Sequence, residues 1–328
     1  MAEHPPIASK LIYVSDNRLC RLDFLHCKCR GAAKPAEPSR PEQPMELRVL
    51  VPDRFMWRNS GHILSIPRLR SLRVPDMPSG LPSSRLITRL RCVTDISEET
   101  ERVITRLPIS VRNYASSEVI VEQGTKASCC CLVLDGFVAR EKTNTSDRQI
   151  ISFYVPGDIP DANTLHLSKM DHSLTSIGSV VVGFIPHEPL HAALSQCPEL
   201  LHALWRETLI DAAILRQWVV NLGQQEGVAR VAHVLCELTV RLGAVGLLRN
   251  DSLSIPWTQA DVAHATGMTA IHANRVIQDL RLRGLVEWGG KHVKIIRWEQ
   301  LVQVASFSAD YLHLKRISPV LQHITGLS

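Results

Sequence analysis

The chain predicts an α+β protein: an N-terminal antiparallel β-roll or jelly roll, one long helix and a C-terminal winged helix-turn-helix. Three observations carry that prediction. Short strand-like runs separated by Gly-bearing turns fill residues 119–185, as in a compact antiparallel barrel. From Pro189 the apolar spacing becomes helical and stays so for about six turns. Trp257 to Ile296 then reads as short helix, tight turn, longer helix and two short strands.

Composition bounds the rest. At 328 residues, 45% of them hydrophobic, there is room for two domains with real cores. No run approaches the ~18 apolar residues of a membrane span. The N-terminus lacks a basic-then-apolar signal pattern, so a cytoplasmic protein with no membrane partner is expected. Nine irregularly spaced cysteines do not make a secreted disulfide framework. The net charge of +5 is misleading, because residues 1–76 hold 13 Lys/Arg against 8 Asp/Glu and so account for all of it. Residues 228–300 hold 9 basic and 6 acidic residues, a mild excess. A nucleic-acid reading must therefore rest on motif rather than on charge.

Taken in order, residues 1–80 form a proline-rich extension, and 11 of the 19 prolines lie by Pro82. Fragments such as AAKPAEPSRPEQP sustain neither helix nor ladder, and the segment is expected to be a disordered tail. Met77 immediately precedes globular patterning and is favoured over Met1 or Met45 as the true start of translation. Cys20, Cys27 and Cys29 match no zinc or cluster spacing. Residues 81–190 are the expected roll. A short helix is capped at Ser97, with Glu98 and Glu99 in its first turn. Strands follow at Val119–Glu122, Cys129–Leu134, Phe137–Glu141, Ile150–Val155 and Ile177–Ile185. Cys129 and Cys131 would share one strand face and Cys130 the other, so the triplet reads as small apolar filling rather than a thiol sensor. His187 and His191 stand at i, i+4 but lack further ligands for a metal site.

Residues 191–226 are the expected dimerisation helix and hinge. Leu201, Leu204, Thr208, Ala212, Leu215, Val219 and Leu222 recur at three-or-four spacing, flanked by Trp205 and Trp218. Such a face exceeds what a small barrel can cover. It is expected to be a parallel two-fold seam, because major-groove readers pair to read two half-sites. Gly223 to Gly227 reads as the hinge. Residues 227–315 are the winged helix-turn-helix, and 316–328 a tail. A helix over Val228–Leu242 turns Val231, Val234, Leu235 and Leu238 inward, and Leu253–Ile255 is a short strand. Thr258 caps the next helix with Asp261 three residues on, and Val262 and Ala265 face inward. Gly267 supplies a left-handed turn and Thr269 caps the second helix, where Ile271, Val276, Ile277 and Leu280 recur at helical spacing. Strands Leu285–Trp288 and His292–Ile296 flank Gly289-Gly290 as a wing.

Roll, long helix and winged helix in this order resemble the Crp/Fnr superfamily of bacterial transcription regulators, over about Leu86 to Leu314. The local marks are Glu118-x5-Gly124, Leu134-Asp135-Gly136, Arg148–Phe153 leading to Pro156-Gly157-Asp158, Ala229-Arg230 with Leu235-Cys236-Glu237-Leu238, and Thr258–Arg283. The resemblance implies a homodimer on a pseudo-palindromic double-stranded DNA site, with RNA polymerase as a further partner. Thr258 and Gln259 fall where the first helix meets phosphate. Thr269, Ala270, Ile271, His272, Asn274 and Arg275 open the recognition helix. Arg275 matches a base-reading arginine, able to hold a guanine edge bidentately. Better-known members carry an arginine and a glutamate where this chain has Ala270 and Ile271, which implies a different half-site. Lys291 and His292 in the wing fall at phosphate contacts.

No cofactor is expected. The cyclic-nucleotide branch grips its phosphate with a Gly-Glu pair and an Arg-Ser/Thr; this chain has Ile159-Pro160-Asp161 and no arginine near Ser173 to Ser179, so cyclic AMP is not expected. The oxygen-sensing branch needs a cysteine at the position of Gly183, which disfavours an iron–sulfur cluster. Haem would need His166 or His172, lone histidines in a loop. No nucleophile, phosphate loop or paired-carboxylate motif suggests an enzyme. Two rival readings stand beside the effector-gated regulator. One is an effector-independent regulator whose roll is a scaffold; the other is a cupin-like metal enzyme with an appended winged helix.

Overall fold

The computed structural model describes residues 13–15, 18–20, 80–143, 148–248, 252–290 and 292–315. The chain divides into a unit Met1–Ser71 and a unit Leu72–Ser328. In the first, β1 (Tyr13–Ser15) and β2 (Arg18–Cys20) pair antiparallel, with Val14 opposite Leu19. This corrects the expectation that the extension holds no ladder. Residues 7–34 contain no proline, so every N–H there is free to donate. Cys27, Cys29, Met45, Met77 and the tail 316–328 lie outside the described residues.

The second unit opens with α1 (Ser83–Val93) and α2 (Glu98–Thr105), where one helix was expected. Thr94 is extended and ends α1; Ser97 then starts α2 by accepting a hydrogen bond from Thr100 N at 3.3 Å. The roll is one antiparallel sheet of β3 (Ser110–Tyr114), β4 (Val119–Val121), β5 (Cys129–Thr143), β6 (Arg148–Tyr154) and β7 (Ser173–Pro186). Its order is β3-β7-β5-β6, with β4 also on β7. The predicted break at Asp135-Gly136 is not a turn between strands. β5 runs through it, and the register against β7 shifts on both sides of Asp135. Gly136 has φ +79°, and a Cβ there would lie 2.5 Å from Ser179 O, so the bulge needs glycine.

The cysteine triplet alternates as the strand period requires. Cys130 packs with Leu132 and Ile185 in the cluster that holds Leu86, Leu190 and Leu200; Cys131 packs on the other face with Val133 and Tyr154. Both are buried, and burial pushes both thiols well up from their ordinary range, which suits apolar filling rather than reactivity.

The helical stretch after the roll is two helices, α3 (His187–Gln196) and α4 (Pro198–Gln224). Pro198 has no N–H to continue α3 and sits instead at the first turn of α4. α5 (Gly227–Ala244) starts almost at once, so the hinge is Gln225-Glu226 alone rather than Gly223–Gly227. A third sheet of order β8-β10-β9 comes from β8 (Ser252–Ser254), β9 (Val286–Gly289) and β10 (His292–Ile295). α8 (Trp298–Ala305) and a 3-10 turn at Asp310–Leu312 close the fold against α5 and α4.

One apolar cluster joins the C-terminal domain to the roll. Phe153 of β6 meets Trp218 of α4 edge-on at 5.9 Å and stacks on Trp257 at 4.7 Å. Among the described residues no helix is long and apolar enough to cross a membrane.

Candidate nucleic-acid interface

Two helices and a hairpin assemble the exposed face. Thr258 caps α6 (Gln259–Thr266) in a capping box: its Oγ1 accepts from Asp261 N at 3.1 Å, and Asp261 Oδ2 accepts from Thr258 N at 2.9 Å. Gly267 at φ +63° ends α6, and Thr269 caps α7 (Ala270–Leu282) by accepting from His272 N at 3.2 Å. Ala273, Val276, Ile277 and Leu280 bury one side of α7. That periodicity leaves Ala270, Ile271, Arg275, Gln278 and Arg281 outward on the other. Ile271 is 70% exposed, an apolar side chain with no intramolecular reason to face water.

The expected contact residues do not all behave alike. Arg275 is exposed and makes no hydrogen bond or ion pair within the described residues, so its guanidinium is free for a ligand. Asn274 is half-buried and its Oδ1 accepts from Gln259 Nε2 at 3.0 Å, so the two helices are tied by the very side chains expected at DNA. His272 lies back over the start of α5: a Cβ on Gly227 would come within 3.2 Å of its Nε2. His292 is exposed on β10 directly opposite Gly289. β9 therefore runs on through Gly289, which was expected in the turn, and the chain leaves the strand at Gly290, at φ +58°. Lys291 lies outside the described residues.

Sequence reasoning missed Gln278 and Arg281. With Trp257, Thr258, Gln259 and Trp288 they line a recess between α7, the start of α6 and the wing. Their signal was present, because both lie at helical spacing on the side that carries Arg275. Arg281 also borders a shallow trough shared with His292 and Lys294 of the wing.

On α4 the expected seam needs one change. Leu201, Thr208, Leu215 and Val219 are exposed, and Ala212 and Leu222 half-buried, but Leu204 is 6% exposed and packs into the roll's own core. Trp205, expected only to flank the stripe, is 61% exposed. Replacing Leu204 by Trp205 gives 201, 205, 208, 212, 215, 219, 222, an unbroken four-three repeat. Leu204 sits one position round the helix, where α4 meets the roll.

The histidines of the sensory half are placed as follows. His172 is buried, with Nδ1 2.7 Å from Asp171 Oδ1. His187 Nε2 lies 3.1 Å from Thr164 Oγ1, so one ring nitrogen is engaged; His166 and His191 are exposed, ring to ring at 5.9 Å. No group of three or more metal-ligating side chains forms among the described residues.

A model of the Crp-like helix-turn-helix domain matches residues 229–304, and one of the cyclic nucleotide-binding domain matches 111–197. An "Anaerobic regulatory protein" of Aggregatibacter actinomycetemcomitans is 19% identical over 199 residues, covering 60% of this chain and 77% of that protein. The "Transcriptional activator protein FnrA" of Stutzerimonas stutzeri is 23% identical over 200 residues, 61% and 82% of the two chains. FixK2 from Bradyrhizobium japonicum, a solved structure, shares the fold with a TM-score of 0.57 at 20% identity, over 62% of this chain and all of that one.

Proposed function

We propose that the chain is a transcription regulator of the Crp/Fnr type, acting as a homodimer whose two α7 helices enter successive major grooves of a pseudo-palindromic site; the two matched domain models and the shared fold support this. The observation that carries this is the outward face of α7, where Ile271, Arg275, Gln278 and Arg281 stand on a doubly capped helix-turn-helix with Arg275 uncommitted. A free guanidinium on that face is suited to the O6 and N7 of guanine, and Ile271 to a thymine methyl. Thr258, Gln259 and the wing then hold phosphate. Two-fold pairing along the exposed apolar repeat of α4 sets the two readers about one DNA turn (~34 Å) apart. RNA polymerase is the further partner, in the cytoplasm, and no enzymatic step is needed.

Cyclic AMP does not suit this roll. The arginine nearest to a phosphate-gripping role, Arg140, donates to Asp211 Oδ2 at 2.8 Å and to Pro160 O at 2.5 Å, so its fork is occupied. An iron–sulfur cubane is disfavoured too. A Cβ on Gly183 would stand 2.6 Å from Ile109 Cγ2, leaving no space for the cysteine such a cluster needs. The test is selection of bound genomic fragments by the full chain, followed by Arg275→Ala. The variant should stay dimeric and lose selectivity; fragments enriched equally by both proteins would reject the assignment.

A further inference from the structure

A cavity of about 260 Å³ lies between the roll and α4, and its chemistry is not that of a phosphate site. Arg89, Arg140 and Arg241 border it, but each guanidinium is already engaged. Arg89 meets Asp158 Oδ1 and Glu207 Oε2, both at 3.0 Å, and Arg140 meets Asp211. Arg241 meets Asp158 Oδ2 at 2.7 Å, Glu237 Oε1 at 3.0 Å and Phe153 O at 2.8 Å. Against these three cations stand four lining carboxylates (Asp158, Asp171, Glu207 and Asp211), an excess of one negative charge; Glu237 behind the cavity is balanced in the count by Lys142, 3.7 Å from Asp171 Oδ2. An incoming anion would meet no uncommitted cation and that excess besides.

The unpartnered atoms at the lining point the same way. His172, 4% exposed, has its Nδ1 on Asp171 and its Nε2 without a partner. Burial, with Arg140 close by, holds that imidazole below its usual range, so it is neutral near pH 7. With the proton on Nδ1 facing the carboxylate, Nε2 offers a lone pair. Glu207 Oε1 and Asn163 Oδ1 also lack hydrogen bonds. Three lone-pair carriers thus await donors. The unpartnered donors of the lining are Nε of Arg89, Arg140 and Arg241, each on a guanidinium already tied to a carboxylate, and Arg89 Nε stands 3.0 Å from Asp158 Oδ1. An unsatisfied buried polar atom is costly and needs an explanation, and a bound molecule supplies one.

The same side chains lead out of the cavity into the DNA-reading domain. Glu207 of α4 holds Arg89 of α1; Arg89 holds Asp158 of the roll; Asp158 holds Arg241 of α5; Arg241 holds Glu237. Glu237 Oε2 in turn accepts from Trp218 Nε1 at 3.0 Å and from Tyr311 OH at 2.8 Å. α5 is the helix against which α7 and α8 pack. We propose that this cavity binds a compact organic cation rich in N–H donors, an amine or guanidine rather than a cyclic phosphate, seated on Glu207, Asn163 and His172. Through Arg89–Asp158–Arg241–Glu237 its occupancy biases the position of the DNA-reading domain. The coupling half of this rests on the DNA-reader assignment above, whereas the binding half does not.

The test is calorimetric titration of the full chain, without DNA, using 1,4-diaminobutane and agmatine, with cyclic AMP and inorganic phosphate as anionic arms. Saturable heat is expected from at least one amine and from neither anion, and Glu207→Gln or Asn163→Ala should each weaken it tenfold or more. Saturable anion binding, absence of amine binding, or amine binding indifferent to both substitutions would overturn the site. The two variants differ in burial, so a folding failure at Glu207 leaves Asn163→Ala decisive. For the coupling, the bound amine should change operator affinity at least fivefold in the native chain. Arg241→Met should keep the heat and lose that change. An equal effect in both proteins would break the relay while leaving the site.

Discussion

Arg275 and Ile271 stand one turn apart on the same face of α7, and together they define what a half-site can offer. Arg275→Ala removes a bidentate donor and should cost about 1–3 kcal/mol of discrimination between operator and scrambled DNA. Competition binding measures it, and equal competition by both DNAs for the native protein would remove the base-reading role. Asn274 matters differently, since its bond to Gln259 makes it a brace between α6 and α7 as much as a reader. In the roll, Asp161 is fully buried, and burial raises its carboxyl from 3.8 to about 6 despite the hydrogen bond from Cys131 N at 2.7 Å. A folded-state value above the unfolded one means that the ionised form costs stability. The neutral acid is tolerated below about pH 4, and the penalty develops as pH rises through about 6, reaching on the order of 3 kcal/mol. Asp161→Asn should therefore gain in melting temperature relative to the native chain as pH goes from 4 to 7.5. A pH-independent difference would show that Asp161 ionises without penalty.

At the scale of elements, α4 has two apolar faces with different duties. One, with Leu200, Leu204, Ile210, Ile214 and Trp218, is intramolecular core. The other carries the Leu201-to-Leu222 repeat through Trp205 and stays open in a single chain. Leu215→Glu places a charge in that repeat and should yield monomers with weak operator affinity, measured by sedimentation. Leu204→Ala should leave the dimer intact and lower unfolding stability by about 2–5 kcal/mol, as for a core truncation. Reversal of those two outcomes would return Leu204 to the seam. α6 is an element held from outside as well as by its own cap. Arg148 of β6 reaches Asp261 Oδ1 at 2.7 Å, and Gln149 Nε2 donates to His264 O at 2.5 Å. Asp261 thus serves the capping box with one oxygen and the roll with the other.

At the scale of the molecule, roll and reader pack as one body around Phe153, Trp218 and Trp257. Gly178 marks how close they come: at φ +72°, its Cβ would lie 2.4 Å from Pro256 Cγ. Gly178→Val should destabilise by on the order of 1–3 kcal/mol from backbone strain alone and shift operator affinity as the contact is forced open. Thermal melting with parallel DNA titration checks both, and a neutral substitution would mean the contact is loose. Removal of residues 1–76 should leave melting and operator binding of the remaining chain unaltered, and loss of either would give the extension a structural role.

The sequence by itself determined the order of parts and the local chemistry of the reader. Thr258 with Asp261, Gly267 and Thr269 are short-range signals, acting within one turn of backbone, and each occupies the position that its residue type predicts. The alternation of Cys130 and Cys131 was legible for the same reason, since strand period needs no partner. Whatever depends on a distant neighbour was decided by tertiary structure. Three-or-four spacing cannot say which of Leu204 and Trp205 faces the roll, because both satisfy it within the tolerance of a 3.6-residue helix. Asp135-Gly136 reads as a turn until β7 is laid beside it and makes it a bulge. The chain of Glu207, Arg89, Asp158, Arg241 and Glu237 spans roughly half the sequence, and only packing brings its charges together.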